Sequence, residues 1–341
     1  MTVTRELIRR LPKAELHVHL DGCLRPATML ELAGEAGVAL PANDAEALAE
    51  AMLVRHANSV EEYLERYRYT VAVLQTPAAL ERVAYEFVVD VARENVRYVE
   101  VRFGPALHVP AMSLAQAIEA PLAGIKRATE ETGTRVSLIA CALRTMSPSI
   151  SNDVAHAAVD YRDEGVVAFD LAGSERGHPA RDHAASFRYA SRHGLHCTCH
   201  AGEGDGPDSV RQALHDCGAT RIGHGTRILE DPTLERYVCE RRIPLEVCLS
   251  SNVHTRTVEA AAAHPVRRYM DAGCVVTLNT DGRLMDGVSL TDELWMAHTE
   301  LGFTREEIDR VIVNTFESAF LPDGVKTDLV AQVKRELGEI S

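Results

Sequence analysis

Two histidines near the start of the chain, His17 and His19, stand in the run AELHVHLDG. The apolar character of this run predicts a short buried strand that ends in a turn. Because side chains alternate between the two faces of a strand, both imidazoles point the same way and can hold one metal ion. A single His-x-His pair is also common as ordinary buried histidines, so this pair alone does not establish a metal site.

Further polar residues follow other apolar runs of the chain. They are Glu100, Arg102, Asp170, Gly173, Glu175, His200, Glu203, His224, Glu246, Ser251, Asn252 and Asp281. Three imidazoles and one carboxylate form a donor set that suits Zn²⁺ with one position left for water. This set consists of His17, His19, His200 and Asp281. Glu203 is near enough to His200 for acid–base chemistry, and His224 and Asp281 could orient or deprotonate the metal-bound water.

The apolar runs that contain or precede these polar residues alternate regularly with longer helix-like segments. The predicted strands, rich in Val, Ile and Leu, are Glu15–Leu20, Arg97–Phe103, Val136–Ala142, Val166–Leu171, Leu195–Ala201, Thr220–His224, Ile243–Cys248 and Cys274–Asn279. Eight such units predict the α/β class and a (β/α)8 TIM-type barrel, in which reactive residues gather at the carboxyl ends of the strands. A doubly wound open sheet is the alternative, but no Gly-x-Gly-x-x-Gly turn follows the first strand.

The connection between Leu20 and Arg97 is much longer than one helix requires. Its pattern predicts helices that include Pro26–Ala36, Asp44–Arg55 and Ser59–Leu74. We expect this insertion, about residues 26–92, to form a partial lid over the mouth of the barrel. Since no linker rich in Pro, Gly or Ser interrupts the chain, residues 1–341 are predicted to form a single domain.

The composition restricts the partners and the compartment. The formal net charge of -14 over 341 residues disfavours nucleic-acid binding. The N-terminal residues do not resemble a signal peptide, and no apolar stretch is long enough to cross a membrane. The sequence therefore predicts a cytoplasmic protein with its eight cysteines reduced. The oligomeric state is left open.

Taken together, these motifs are similar to those of the adenosine deaminase family of metal-dependent hydrolases. The matching segments run from the first predicted strand to the eighth. They are PKAELHVHLDG at 12–22, HAGE at 200–203, RIGHG at 221–225, EVC at 246–248 with Ser251 and Asn252, and NTD at 279–281. Each segment is weak by itself, but the combination is specific.

The resemblance implies a role for each matching residue. One zinc ion would be held by His17, His19, His200 and Asp281. His224 would help to deprotonate the zinc-bound water, and Glu203, with its pKa raised by burial, would protonate N1 of the purine. Gly173 would contact the purine through its backbone, Asp21 would contact the ribose, and His19 would also face the substrate. A bridged two-metal site that uses a lysine is excluded, because no Lys occurs between Lys126 and Lys326.

Two positions depart from the family pattern. Family members carry an Asp or Asn after the zinc-binding aspartate, where it contacts N7 of the purine, whereas here this substrate-binding position is Gly282. Arg283 or a water molecule could fill the gap. Leu249 stands where proline is usual. The resemblance nevertheless implies a complete set of zinc-binding and proton-transfer residues.

The expected activity is zinc-dependent hydrolytic deamination of adenosine, or of a closely related 6-aminopurine nucleoside, to inosine and ammonia. Free adenine, a modified adenine nucleoside and a purine-binding barrel without turnover are the alternatives. AMP is disfavoured because the sequence has no basic cluster for its phosphate. For the remaining polar residues the sequence favours structural roles: Asp170 and Glu175 would hold the turn that presents Gly173, Arg102 would be a buried partner for a carboxylate, and Cys197 and Cys199 would pack in the core.

Overall fold

Eight parallel strands form the centre of the computed structural model, which describes residues 3–109 and 111–340. They are β1 (Lys13–His19), β2 (Val96–Phe103), β3 (Arg135–Leu143), β4 (Val166–Ala172), β5 (His196–Ala201), β6 (Arg221–His224), β7 (Leu245–Val247) and β8 (Val276–Leu278). Each strand pairs with the next in chain order. The ring closes where the His19 N–H donates to the Asp281 carbonyl (2.8 Å) and the Asp281 N–H donates to the His17 carbonyl (3.1 Å). The predicted TIM-type barrel is confirmed.

The helices surround this barrel. They are α1 (Arg5–Arg10), α2 (Pro26–Ala36), α3 (Ala45–Met52), α4 (Val60–Leu64), α5 (Tyr67–Val73), α6 (Pro77–Ala92), α7 (Leu114–Thr132), α8 (Pro148–Asp160), α9 (Ala184–Arg192), α10 (Pro207–Arg211), α11 (Pro232–Glu240), α12 (Leu249–His254), α13 (Val266–Asp271), α14 (Arg283–Asp286), α15 (Leu290–Leu301), α16 (Arg305–Ser318) and α17 (Asp323–Glu339). Several begin at a proline or at a side-chain cap, as the sequence indicates.

The long connection after β1 contains α2 to α6. The single helix predicted over Ser59–Leu74 is wrong, because the chain forms α4 and α5 instead. At the junction, the N–H groups of Glu65 and Arg66 bond to carbonyls three residues earlier, and this tighter turn interrupts the α-helical pattern. The break leaves Tyr63 on α4 and Tyr67 on α5, and both line the cavity at the mouth of the barrel.

A chain of buried charges fills the barrel interior beneath that mouth. Arg221 pairs with Glu100 (2.5 Å) and with Glu246 (2.6 Å), and Arg102 pairs with Glu246 (2.8 Å) and with Asp170 (2.9 Å). All five side chains are almost completely inaccessible to solvent. Because buried charges are tolerated only when paired and hydrogen-bonded, this chain fixes the relative positions of four strands.

One cysteine pair differs from the sequence-based prediction. Cys239 and Cys274, whose Cα atoms lie 4.3 Å apart, form a disulfide, so the prediction that all the cysteines are reduced is wrong at this pair. The two residues are 35 positions apart, and only the folding of α11 beside the residues that lead into β8 brings them together. Within residues 3–109 and 111–340, no helix has the length and apolarity that a membrane span requires.

Candidate active site

Four potential metal ligands converge at the mouth of the barrel. His17 and His19 lie on β1, His200 lies on β5, and Asp281 lies just after β8. His19 Nε2 lies 3.1 Å from His200 Nε2 and 3.4 Å from Asp281 Oδ1, and His17 Nε2 lies 3.6 Å from the same oxygen. The predicted ligands are therefore neighbours in space, although up to 264 positions separate them in sequence.

The spacing of these atoms fits a tetrahedral ion. Ligands about 2.0–2.1 Å from a zinc ion lie about 3.3–3.4 Å from one another, close to the three distances above. His17 Nε2 is buried, and within the described part of the chain it has no hydrogen-bond partner. Zn²⁺ prefers imidazole nitrogens and carboxylate oxygens as ligands. The site offers three imidazole nitrogens, one of them buried and unpaired, and one carboxylate. The residues present fit one zinc ion.

Two buried carboxylates orient the histidines. Glu246 accepts a hydrogen bond from His17 Nδ1 (2.9 Å), and Asp170 Oδ1 accepts one from His200 Nδ1 (3.2 Å). Each bond places the ring proton on Nδ1 and leaves the Nε2 lone pair directed into the site. Although burial by itself would raise the pKa of Glu246, Arg102 and Arg221 hold that pKa well below its ordinary value. Both carboxylates thus stay ionised and fix the histidine tautomers.

Glu203 lies in the loop after β5, and this loop is pinned by Glu175. The Glu175 carboxylate accepts hydrogen bonds from the N–H groups of Gly202 (3.0 Å), Glu203 (2.8 Å) and Gly204 (2.9 Å). Burial, reinforced by the negative charges of Asp281 and Glu175, raises the pKa of Glu203 well above its ordinary value. Glu203 therefore keeps its proton to higher pH than an ordinary carboxyl group does, and one of its oxygens lies 3.6 Å from His224 Nε2.

The tautomer of His224 is set by a chain of hydrogen bonds. The Val266 N–H donates to His264 Nδ1 (3.1 Å), and His264 Nε2 therefore donates to Asn252 Oδ1 (3.2 Å). Burial lowers the pKa of His264 to about 3, so this ring is neutral. The Asn252 amide then donates to His224 Nδ1 (3.0 Å). Neutral His224 consequently carries its proton on Nε2, the nitrogen that faces Asp281 Oδ2 at 4.0 Å.

A cavity of about 330 Å³ connects these groups with the predicted substrate contacts. Asp21, Gly173, Glu203 and His224 line it, and Asp21 Oδ1 is buried without a hydrogen-bond partner among the described residues. Gly173 has φ +93° and exposes its backbone to the cavity. Within the part of the chain that the structure describes, no arginine or lysine lines this cavity.

Two of the reactive residues adopt an uncommon backbone conformation. His224 has φ +62° and Asp281 has φ +60°, in the left-handed region that few non-glycine residues occupy. Each directly precedes a glycine. His224 is the last residue of β6, and Asp281 lies just after β8. Such conformations cluster at functional sites, where the surrounding fold holds them in place.

Comparison with known proteins agrees with this geometry. A family model described as "Adenosine deaminase" matches residues 12–336. The chain belongs to the adenosine deaminase family. It is 40% identical over 358 residues to an adenosine deaminase of Mycobacterium avium, with 98% of this chain and 97% of the relative covered. It is 38% identical over 329 residues to a probable adenosine deaminase of Dictyostelium discoideum, covering 96% of this chain and 43% of the relative.

Solved structures of related deaminases share the barrel. An amidohydrolase from Burkholderia ambifaria with bound zinc has a TM-score of 0.90 at 26% identity, covering 100% of this chain and 95% of the other. Adenine deaminase from Arthrobacter aurescens has a TM-score of 0.89 at 28% identity, covering 95% and 98%. An Arabidopsis N6-mAMP deaminase has a TM-score of 0.85 at 28% identity, covering 97% and 99%. The family is thus established, and its members differ in substrate.

Several functional residues of this adenosine deaminase family member were not recognised in the sequence. Asp170 orients His200 rather than holding the turn at Gly173, and Glu175 holds the loop of Glu203. The position of Asp170 near the end of β4, where site residues of such barrels gather, is the sequence feature that points to this role. Arg102 does pair with carboxylates, as expected. Arg283 does not fill the gap beside Gly282, because its guanidinium pairs with Glu94 away from the cavity.

Proposed function

We propose that this protein hydrolyses the 6-amino group of adenosine, or of a closely related 6-aminopurine nucleoside, to give the 6-oxo product inosine and ammonia. The proposal is carried by one observation: histidine and aspartate side chains that could hold a zinc ion meet in the same cavity as Glu203, a buried carboxyl group whose pKa is raised by burial. An amino-substituted aromatic carbon is a poor electrophile. Its hydrolysis requires both an activated water and a proton donor to the ring, and this cavity has residues suited to each task.

We assign the metal ligands to His17, His19, His200 and Asp281. A bound zinc ion would acidify water so that hydroxide is available near neutral pH. The carboxylates of Glu246 and Asp170 support this assignment, because they direct the Nε2 lone pairs of two ligand histidines toward one point. One metal ion per chain is expected.

The proton transfers are assigned from the same contacts. Glu203 gives its proton to N1 of the purine, which makes C6 open to attack by water. His224, with its proton on Nε2, donates a hydrogen bond that orients the attacking oxygen, and Asp281 Oδ2 accepts a proton from it. Ser251 donates to Asp281 Oδ2 (2.7 Å) and thereby positions that oxygen. The proton held by Asp281 then passes to the amine, which leaves C6 as ammonia. The remaining hydroxyl proton at C6 passes to the Glu203 carboxylate, so that the 6-oxo product forms and both carboxyl groups return to their starting states.

Asp21 supports a nucleoside rather than free adenine as the substrate. Its Oδ1 is buried and unpaired among the described residues, and a ribose hydroxyl is a donor that would satisfy it. The absence of arginine and lysine from the described lining of the cavity, which includes the acidic groups Asp21 and Glu61, argues against a phosphate at this position. The likeness to an adenine deaminase keeps the free base as the second candidate.

Ammonia release and metal content, measured on one preparation, test the proposal. The substrates are adenosine, deoxyadenosine, adenine, 5′-modified adenosines and AMP. We expect turnover of adenosine with one zinc ion per chain. Turnover of adenine alone would favour the free base, and turnover of none with purine binding intact would identify a binding barrel. The variant His224→Ala should lose turnover and keep its metal, and normal turnover in this variant would refute the role assigned to His224.

A further inference from the structure

The space beside Gly282, directly after the predicted metal ligand Asp281, is occupied by two tyrosines of the inserted helices. A Cβ built on Gly282 would come within 2.9 Å of the Tyr67 hydroxyl and closer still to that of Tyr63. A Cβ on Gly22 would come within 2.8 Å of the Tyr67 hydroxyl. A side chain at either glycine would therefore have to displace one of these hydroxyl groups from its present position.

The two hydroxyl groups differ in what they bond. The Tyr63 hydroxyl donates to Asp286 Oδ2 (2.9 Å), and Asp286 also bonds His254 Nδ1 (2.7 Å). The Tyr67 hydroxyl finds no hydrogen-bond partner among residues 3–109 and 111–340. Its ring meets His19 edge-on, with the ring centroids 6.2 Å apart, and it lines the cavity. Tyr67 therefore has a free O–H donor beside the reacting groups.

We propose that the Tyr67 hydroxyl donates a hydrogen bond to N7 of the bound 6-aminopurine and so takes over the recognition that a side chain at Gly282 cannot provide. This inference rests on the proposed function, which places C6 at the metal donors and N1 at Glu203.

The topology of the barrel supports this orientation. Glu203 follows β5, whereas the Tyr67 hydroxyl borders residues that follow β1 and β8. In a ring of eight strands, β5 lies opposite β1. In a purine, C6 is flanked by N1 on one side and by C5, which carries N7, on the other. With N1 directed to Glu203, the N7 edge faces the side where Tyr67 stands, and N7 is an acceptor that matches its O–H.

The test compares adenosine with 7-deazaadenosine, in which a C–H replaces N7 and cannot accept a hydrogen bond. The variant is Tyr67→Phe. The matched control is Tyr69→Phe on the same helix, since the Tyr69 hydroxyl accepts from Arg68 and does not line the cavity. The quantity measured is kcat/KM for each substrate, or the competitive inhibition constant of 7-deazaadenosine where its turnover is too slow.

We expect Tyr67→Phe to lower kcat/KM for adenosine by about 5- to 100-fold and to leave the value for 7-deazaadenosine within about twofold of the wild type. Tyr69→Phe should match the wild type with both substrates. Equal losses on the two substrates, or no loss on adenosine, would overturn the inference while leaving the proposed deamination intact. If the wild-type protein deaminates no member of the purine panel, the proposed function fails and this assignment fails with it.

Discussion

Replacement of Glu246 by glutamine tests how the barrel interior supports His17, one of the proposed metal ligands. Oε2 of Glu246 accepts from His17 (2.9 Å) and Arg102 (2.8 Å), and Oε1 accepts from Thr198 (2.9 Å) and Arg221 (2.6 Å). A glutamine can offer its oxygen to only one of these pairs, and its NH₂ group then faces an arginine, which can only donate. At least one arginine hydrogen bond, together with its ion pair, is lost whichever way the amide turns.

The expected cost follows from this count. A hydrogen bond that involves a charged group contributes roughly 1.5–3 kcal/mol, and breaking one side of a buried ion pair costs roughly 3–5 kcal/mol. We therefore expect Glu246→Gln to lower the free energy of unfolding by about 4 kcal/mol. If the NH₂ group faces His17, the support for that tautomer is also lost and metal affinity should fall about 10- to 100-fold.

Urea unfolding gives the change in free energy, and competition with a chelator gives the metal affinity. Thr198→Val is the matched control, because it removes one hydrogen bond from the same carboxylate without breaking an ion pair, and it should cost about 1.5–3 kcal/mol and leave metal affinity unchanged. A Glu246→Gln protein within about 1 kcal/mol of the wild type, with unchanged metal affinity, would refute the view that this buried carboxylate organises the site.

Three further predictions concern other parts of the structure. The Glu203 carboxyl, whose pKa is raised by burial, binds a proton in the folded state above the ordinary pKa of 4.5, where the unfolded state has lost it. The free energy of unfolding should therefore fall as pH rises through this window. Glu203→Gln should make that fall smaller, while the part due to other buried carboxyl groups such as Asp21 and Glu293 remains, and it should abolish deamination. Unfolding measured at several pH values and ammonia assays check this, and an unchanged pH dependence would contradict the assignment. Asn252→Leu removes the bond that fixes His224 and should lower kcat about 10- to 100-fold with little change in KM, whereas a loss confined to KM would exclude a role in orienting His224. Lys13→Met leaves three backbone carbonyls near the end of α1 without their donor and should cost about 2–4 kcal/mol in urea unfolding, and a neutral effect would show that water replaces the ammonium group.

Much of this architecture is already present in local sequence patterns. Apolar runs identify all eight strands, because strands buried on both faces of a parallel sheet must be apolar along their length. Proline and capping residues mark many helix starts. The four proposed metal ligands could be selected from residue type and from their position at strand ends, since the barrel brings those ends to one mouth.

The sequence pattern did not reveal which polar group bonds which. Asp170 and His200 are 30 positions apart, and Glu246 and His17 are 229 apart, so their pairing depends on the closed ring of strands. The same holds for Cys239 and Cys274. Local periodicity carries no information about contacts between distant segments, and it could not show that one side of α4 and α5 faces the cavity.

The sequence by itself determined the fold class and the family, and it supplied the proposed donor set, because each depends on residue type and on spacing along single strands. The tertiary structure decided the tautomers of His17, His200 and His224, the raised pKa of Glu203 and the occupation of the space beside Gly282. These properties depend on burial and on partners from other strands and helices, and they exist only once the barrel has closed.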